Sequence, residues 1–367
     1  MDTEQDGHLV VAAAERIFRE LADPQDILRR SDDAWKARLW AALEDSGLPA
    51  AWVPERLGGS ELPMGEGFAL VRAAGRAALA VPLVDTMLAG WILGRAGLRM
   101  PRGAIGVIAA GARDEVTIDD AGRVRARARR VPFAREVEHL VAVCDAPGGA
   151  RVALVATRDC RIVPGSSLAG DACDAVEVQG AAAVDRADVP GLDADAVRRL
   201  GATARSLQIA GALERMLEAS VAYAQERVAF EKPIARFQAI QHALARLGGE
   251  VAAAVAVAES AADAMASLPV GRDAAASASP GPSDDEQLLE VASAKVCCGE
   301  AAETGAAIAH QVHGAIGFSD EHVLHRYTLR ALSWRDEFGD ESHWSGRLGT
   351  LVARGGGDDL WTLLATR

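Results

Sequence analysis

The hydrophobic pattern divides the chain into three stretches. From residue 8 to about residue 98, apolar residues recur at three- and four-residue spacing, as in "LVVAAAERIFREL" and "GEGFALVRAAGRAAL", which predicts amphipathic helices. From about residue 103 the period changes to two in short runs such as "EVTIDD", "HLVAVCDA" and "RVALVATRD", separated by Gly, Asp and Pro. These runs predict a small antiparallel sheet or barrel. After "VPGLDADAV" the helical period returns and continues to the end.

The order of helices, strands and helices predicts an α+β fold that is mainly α, built from three domains. We place an N-terminal α-helical domain at 1–102, a middle β-domain at 103–194 and a C-terminal domain of the four-helix-bundle type at 195–367. One segment of the last domain, "LPVGRDAAASASPGPSDDEQ" at 268–287, is rich in small and polar residues. Such a composition buries little apolar surface, so we expect a mobile loop there.

Composition excludes several classes of function. The net charge of −13 and the sequence pI near 5.2 argue against a nucleic-acid partner. The five cysteines are scattered without the spacing of a metal site, which fits a reducing compartment. The N-terminus is acidic, and the most apolar stretch carries Asp85 and Arg95. We therefore expect a cytoplasmic protein with no metal site and no membrane span.

Two stretches of the third domain carry the candidate chemistry. The first, "RVAFEKPIARFQAIQHALARL" at 227–247, interrupts a long Ala- and Leu-rich helical run. Because helices end before prolines, its simplest interpretation is a helix–turn–helix. That interpretation does not explain why an Arg, a Phe and two Gln surround the break. The second stretch, "HQVHGAIGFSDEHVLHRYTLRAL" at 310–332, combines a glutamine with two closely spaced glycines.

Together these stretches resemble two motifs of the acyl-CoA dehydrogenase family, Arg-x-x-Phe-Gly-[Lys/Arg]-Pro-Ile-x-x-Phe-Gln and Gln-x-x-Gly-Gly-x-Gly-[Phe/Tyr]. Glu231 departs from the first motif, in which the family has Gly. The resemblance covers nearly the whole chain, since "WVPERLGGSELPMGEG" at 52–67 also matches a family turn. The matching residues are Arg227, Phe230, Lys232, Pro233, Ile234, Phe237 and Gln238 in the first motif, and Gln311, Gly314, Gly317 and Phe318 in the second.

The resemblance implies that FAD is the cofactor and that both motifs bind its adenosine diphosphate half across a dimer interface. It assigns Arg227 to the pyrophosphate, because a guanidinium matches phosphate oxygens with paired donors. Phe230 and Ile240 would line the adenine, and the glycines would let the backbone approach the cofactor closely. The residues expected to bind FAD are Arg227, Phe230, Ile234, Gln238, Ile240, Gln311, Gly314 and Gly317.

The implied reaction needs a base that takes the α-proton of an acyl-CoA while hydride leaves the β-carbon for flavin N5. The family places a Glu at one of two positions. The first falls on Phe338, so a one-residue offset makes Glu337 the base, and Asp340 is a second candidate; both are alternatively acids of a solvated helix end. The second position, on the helix before Arg227, has Arg205 and Gln208 nearby. Arg205 is either an active-site residue paired in the interior or an exposed one.

The middle domain lacks the family segments that bind the flavin ring and thioester, and residues 129–132 occupy the turn where ring contacts are expected. Three hypotheses follow. The chain is a subunit of a heterotetrameric FAD-dependent acyl-CoA dehydrogenase that lacks the base and supplies the adenosine diphosphate half of the FAD site to a partner subunit. Alternatively it is a self-sufficient homo-oligomer that uses Glu337 or Asp340, or a scaffold without cofactor. The resemblance also implies an electron-transferring flavoprotein as acceptor, but nothing in the residues identifies the acyl chain.

Overall fold

Helices, then strands, then helices follow one another along the chain, which confirms the predicted fold class. The structure, a computed structural model, describes residues 3–30, 32–108, 114–268 and 283–355, with the side chains of 3–8 excepted. The helices before the strands are α1 (Thr3–Leu21), α2 (Pro24–Leu28), α3 (Ala34–Asp45), α4 (Met64–Arg76) and α5 (Leu83–Ala96). Those after the strands are α6 (Ala194–Glu226), α7 (Gln238–Ala266), α8 (Asp284–His313), α9 (Leu324–Trp334) and α10 (Glu341–Gly355).

The strands of the middle region form two four-stranded sheets with the orders β1-β4-β5-β8 and β2-β3-β7-β6. Apolar residues from the facing sides of both sheets fill the space between them. The other face of the first sheet packs on the helices, which explains why β1 is buried on both sides. The strands are β1 (Ile105–Ile108), β2 (Glu115–Ile118), β3 (Arg123–Pro132), β4 (His139–Ala146), β5 (Gly149–Ala156), β6 (Arg161–Val163), β7 (Cys173–Ala182) and β8 (Asp185–Pro190).

Two details of this region differ from the prediction of an antiparallel sheet. β1 pairs in parallel with β4, with Ile105 opposite His139. The strands β6 and β8 were not predicted, because one has three residues and the other reads Asp-Arg-Ala-Asp-Val-Pro. Both lie at the edge of a sheet, where polar residues replace the alternating pattern that marks a buried strand.

The predicted loop at 268–287 is wrong at its C-terminal end. Residues 269–282 lie outside the described part of the chain, but α8 begins at Asp284. The side chain of Ser283 accepts a hydrogen bond from the N–H of Glu286, and the Glu286 carboxylate accepts one from the N–H of Ser283. This reciprocal cap, with acidic residues in the first turn, makes the polar run Asp-Asp-Glu-Gln a helix start.

Two helices occupy the centre of the helical core. Every residue of α5 is buried, so its sequence shows no polar face. The 33-residue helix α6 packs against α4, α7, α8 and α9. Among the described helices, no segment is both long enough and apolar enough to cross a membrane.

The crossing of α4 and α6 depends on glycine. A Cβ at Gly75 would lie 2.3 Å from the backbone oxygen of Gln208, and a Cβ at Gly211 would lie 2.3 Å from the backbone oxygen of Arg72. Real Cβ atoms do not approach backbone atoms that closely. The absence of side chains at these two positions therefore lets the helices touch along their backbones.

We expect Gly75→Ala to lower stability by about 1–3 kcal/mol, because the added methyl group forces α4 away from α6. Gly65→Ala is the matched control on the same helix, since open space surrounds Gly65. Replacing an exposed helical Gly by Ala stabilises by roughly 0.5–1 kcal/mol. Thermal melting measures both changes. Equal melting temperatures for the two variants would contradict the close backbone contact.

Candidate active site

The stretch 227–247, interpreted as a helix–turn–helix, contains a small β-hairpin between α6 and α7. Strand β9 (Val228–Ala229) pairs with β10 (Lys232–Pro233), so Phe230 and Glu231 form a two-residue turn. Both turn residues have positive φ, 50° and 66°. This is the geometry of a type I′ turn, which Asn and Gly adopt most readily. A Phe and a Glu adopt it only at a cost, so the hairpin is a strained support for the residues it presents.

The hairpin presents the first motif at the surface. The side chain of Phe230 is 89% exposed. Arg227 and Gln238 are also exposed, and within the described residues neither side chain has a hydrogen bond or ion pair. Ile234 and Ile240 are half-buried beneath them. The two polar side chains are thus free to bind a group that comes from outside the fold.

The second motif lies beside the first. The ring of Tyr223, one turn before the end of α6, stacks on His313 at the end of α8 with centroids 4.5 Å apart. Gln311 and Gly314 are exposed, and a Cβ at Gly314 would have open space around it. Gly317 is buried instead, where a Cβ would lie 2.8 Å from that of His313. The structure therefore brings together Arg227, Phe230, Gln238, Gln311 and Gly314 at one end of the helical bundle.

Arg205 lies in the interior at the centre of a cluster of polar groups. Its Nη2 donates to Oδ1 of Asp85 at 2.6 Å, its Nε to Oε2 of Glu337 at 2.7 Å, and its Nη1 to Oε1 of Gln208 at 2.5 Å. The side chains of Arg205 and Asp85 are 2% and 5% exposed, and that of Glu337 is 10% exposed. The interpretation of Arg205 as an exposed side chain is wrong, and so is that of Glu337 as a solvated acid. All three nitrogen atoms of the guanidinium are occupied inside the protein.

Phe338, at the position where the family motif places the base, covers this cluster. It has a positive φ of 55°, and its ring lies 5.6 Å from the Cζ atom of Arg205. A Cβ at Gly201 would lie 2.2 Å from the same ring, so the glycine on α6 makes room for it. The phenyl group thus fills the space above the guanidinium.

The charges of the cluster are balanced. Lys295 on α8 is buried, and its Nζ donates to the backbone oxygens of Trp334 and Arg335 at 3.1 and 2.6 Å. Burial lowers the pKa of Lys295 to about 8, although Glu337 opposes the shift. Burial also raises the pKa of Glu337, and Arg205 opposes that shift. Two cations and the carboxylates of Asp85 and Glu337 therefore share one dry region.

Asp340 is not part of this cluster. Its side chain is exposed and accepts a hydrogen bond from the backbone N–H of His343 at 2.8 Å. It occupies the N-cap position before α10, where an Asp satisfies a free backbone donor. Asp340 therefore stabilises the start of α10, and its carboxylate is exposed to solvent.

Residues 129–132, expected to occupy a turn, are the end of strand β3. Arg129 pairs with Asp114 at 3.2 Å, and Arg130 pairs with Asp336 at 3.1 Å. The second ion pair joins the β-sheet region to the segment that carries Glu337. The sequence shows a run of arginines here, but only the fold shows which acids they meet.

Sequence reasoning missed two members of the buried cluster. Asp85 was noted only as a charge inside an apolar stretch, and Lys295 was not singled out. A signal existed for Asp85, because a carboxylate inside a wholly buried helix requires a cationic partner. Lys295 stands in the ordinary-looking run "ASAKVCCGE", so its burial follows from packing alone.

Comparisons with known proteins indicate which family this chain resembles. Residues 196–341 match the family model for the C-terminal domain of acyl-CoA dehydrogenases. Residues 196–341 are therefore a domain of the acyl-CoA dehydrogenase family. The chain is 28% identical to acyl-CoA dehydrogenase FadE27 of Mycobacterium tuberculosis, over 89% of this chain and 91% of that protein. It is 30% identical to FadE34 of the same organism over 88% of this chain, but spans only 43% of that longer protein.

Solved structures share the fold over nearly the whole chain. The crystal structure of the ChsE4-ChsE5 complex from Mycobacterium tuberculosis has a chain that matches with a TM-score of 0.79 at 24% identity, over 95% of this chain and 97% of that one. The Tcur3481-Tcur3483 steroid acyl-CoA dehydrogenase variant matches with a TM-score of 0.79 at 22% identity, over 96% and 99%. The FAD complex of PigA matches with a TM-score of 0.75 at 16% identity, over 96% and 98%.

We expect Glu337→Gln to lower stability by about 1–3 kcal/mol, because the amide leaves the charge of the buried Arg205 less well compensated. The matched control is Asp336→Asn, which removes the neighbouring carboxylate from an exposed ion pair worth roughly 0–1 kcal/mol. Thermal melting of the purified chain measures both. A Glu337→Gln protein as stable as the control variant would show that Glu337 is not held in the interior.

Proposed function

We propose that this chain is a subunit of an FAD-dependent acyl-CoA dehydrogenase that supplies the adenosine diphosphate half of the FAD site to a partner subunit and does not supply the catalytic base. One contrast carries the proposal. The polar side chains of Arg227 and Gln238 in the first cofactor motif are exposed and have no hydrogen bond or ion pair within the described residues, whereas the position expected for the base is filled by an ion-paired cluster under Phe338.

The exposed end of the bundle fits a dinucleotide cofactor. Arg227 would hold the pyrophosphate, because its guanidinium is free and offers paired donors. Phe230 offers an exposed aromatic face to the adenine, and Gln238 and Gln311 offer amides for directed hydrogen bonds. Gly314 leaves the backbone open to close approach. When bound, FAD supplies the hydride acceptor for α,β-desaturation of an acyl-CoA thioester.

The buried cluster makes Glu337 a poor base. A general base needs a free lone pair within reach of the α-proton. The Oε2 atom of Glu337 accepts from Arg205, and Phe338 lies over that guanidinium. Freeing the carboxylate would break one of the two ion pairs of the buried Arg205 and leave Asp85 as its remaining counter-ion, which is unfavourable in the interior. The α-proton is therefore taken by a residue of the partner subunit in this proposal.

Related structures support a heteromeric assembly. The ChsE4-ChsE5 structure is a complex of two different proteins, and the Tcur3481-Tcur3483 structure is described as a steroid acyl-CoA dehydrogenase. We therefore propose a second acyl-CoA dehydrogenase-like subunit as partner, in a two-plus-two tetramer that acts on a bulky acyl-CoA. An electron-transferring flavoprotein is the proposed acceptor of the electrons.

The flavin content of the purified protein tests the cofactor assignment. We expect colourless protein when the chain is purified alone, and half-stoichiometric FAD when it is coexpressed with a homologous subunit from a neighbouring gene. Arg227→Ala should remove FAD from that complex, because each lost charge-assisted hydrogen bond is worth about 1.5–3 kcal/mol. Arg236→Ala is the control, since Arg236 is an exposed arginine on the adjacent turn.

Three results would contradict this assignment. Yellow protein that contains one FAD per chain when purified alone would favour a self-sufficient homo-oligomer. A complex that stays colourless would favour a scaffold without cofactor. Full FAD occupancy in the Arg227→Ala complex would show that Arg227 does not bind the pyrophosphate.

Turnover of the complex tests the location of the base. We expect Glu337→Gln and Asp340→Asn to leave the rate per bound FAD nearly unchanged, although the first variant melts at a lower temperature. Loss of a general base typically lowers the rate about a hundred- to ten-thousand-fold. A decrease of that size with FAD retained would place the base in this chain and contradict the proposal.

A further inference from the structure

A group of aromatic and histidine rings lies between the two cofactor motifs and has no part in the proposed reaction. The ring of His313 stacks on Tyr223 at 4.5 Å and lies 4.8 Å from the ring of His322. His322 in turn meets the edge of Tyr223 at 6.3 Å. We call Tyr223, His313 and His322 the histidine cluster. It connects the end of α6, the end of α8 and the start of α9.

The burial of Nε2 without an acceptor in the described chain favours the neutral form of His313. Its Nδ1 lies 2.8 Å from the backbone oxygen of Ala309, which can only accept, so Nδ1 carries the proton. The other nitrogen, Nε2, is buried and has no hydrogen-bond partner among the described residues. A second proton on Nε2 would place a cationic N–H in the interior without an acceptor, which is costly.

His322 is fixed in the neutral form by a different bond. Its Nδ1 accepts from the backbone N–H of Leu324 at 3.2 Å, the first residue of α9. A proton on Nδ1 would break this bond, and it would put a positive charge at the N-terminus of a helix, where the dipole disfavours cations. Protonation of His322 therefore acts directly on the start of α9.

Within the described residues, no carboxylate pairs with the rings of His313 and His322. Burial lowers the pKa of His313 and of His322, and the neighbouring histidines His310 and His325 lower the latter further. No ion pair joins any of these rings to an acid within the described ranges. Besides the histidines, the charged or titratable groups nearest the cluster along the chain are Glu226 and Arg227 at the end of α6, Asp320 and Glu321 before α9, and Arg326 and Tyr327 on α9.

We propose that the histidine cluster is a pH-sensitive clasp that holds the two cofactor motifs together while its rings are neutral and releases residues 310–328 when they are protonated. Acid destabilises the clasp, because the pKa of His313 and that of His322 are lowered in the folded chain. Because these histidines bind protons less readily in the folded chain than in the unfolded one, the stabilisation is present above the unfolded value of about 6.5. It is lost as the pH falls below that value. The clasp is a property of this chain alone and does not require FAD or a partner.

Amide hydrogen exchange of the isolated full chain tests the clasp. After correction for intrinsic exchange rates, we expect peptides from 310–328 to exchange at least severalfold faster at pH 5.5 than at pH 7.5, because protonation of the rings destabilises this segment. Peptides from β5, which lie in the sheet core, should not change. The variant with His313→Phe and His322→Asn should lose this pH dependence, because Phe keeps the stacking on Tyr223 and Asn keeps an acceptor for the N–H of Leu324.

His242→Asn is the matched control, since His242 is an exposed histidine on α7, and this variant should behave as the wild type. If the double variant does not fold, the clasp is tested with His322→Asn alone. NMR titration of the histidine rings of the wild type gives a second test. A pKa below about 6.5 for the rings of His313 and His322 supports the clasp. Rings that titrate at or above that value, equal protection at both pH values, or an unchanged pH dependence in the folded double variant would overturn it.

Discussion

The buried guanidinium of Arg205 is the constraint on which the arrangement of the site depends. It joins α6 to Asp85 on α5 and to Glu337 in the segment between α9 and α10, so three parts of the chain meet at one charge. A charge in the interior is tolerated only when its hydrogen bonds and its counter-ions are in place. The direction of the Glu337 side chain, the positive φ of Phe338 and the glycine at position 201 all follow from satisfying and covering this one group.

The same constraint separates the two halves of the site. The interior half is closed, because ion pairs and an aromatic ring occupy the space and Arg130 bridges the sheet to the Glu337 segment. The exterior half is open, because a strained hairpin presents Phe230 and Arg227 to the outside, and the Arg227 side chain has no hydrogen bond or ion pair within the described residues. Ion pairs and a phenyl ring fill the interior of the site, while the cofactor motifs are exposed at the surface. This arrangement fits a subunit that completes the site of another chain.

The strained hairpin and the histidine cluster lie at the same end of the bundle. Phe230 and Glu231 hold backbone conformations that glycine adopts more readily, while His313 and His322 hold protonation states that acid would change. Such features persist only where the surrounding packing determines them. Their concentration around the cofactor motifs suits a surface that must keep its shape before a ligand arrives.

The sequence by itself determined the order of helices and strands, because periods of 3.6 and 2 report directly which face of each element is buried. It also indicated a resemblance to the family, since the Arg, Phe, Gln and Gly residues of each motif stand close together in the chain. The start of α8 was misread, although its Ser283–Glu286 cap is a local signal. Only the tertiary structure decided which of the candidate acids is buried and which is exposed. Glu337 and Asp340 are three residues apart, yet one is buried against Arg205 and the other caps a helix in solvent. Glu337 is buried because its partner, Arg205, lies 132 residues away in the chain, and no local sequence pattern indicates such a contact.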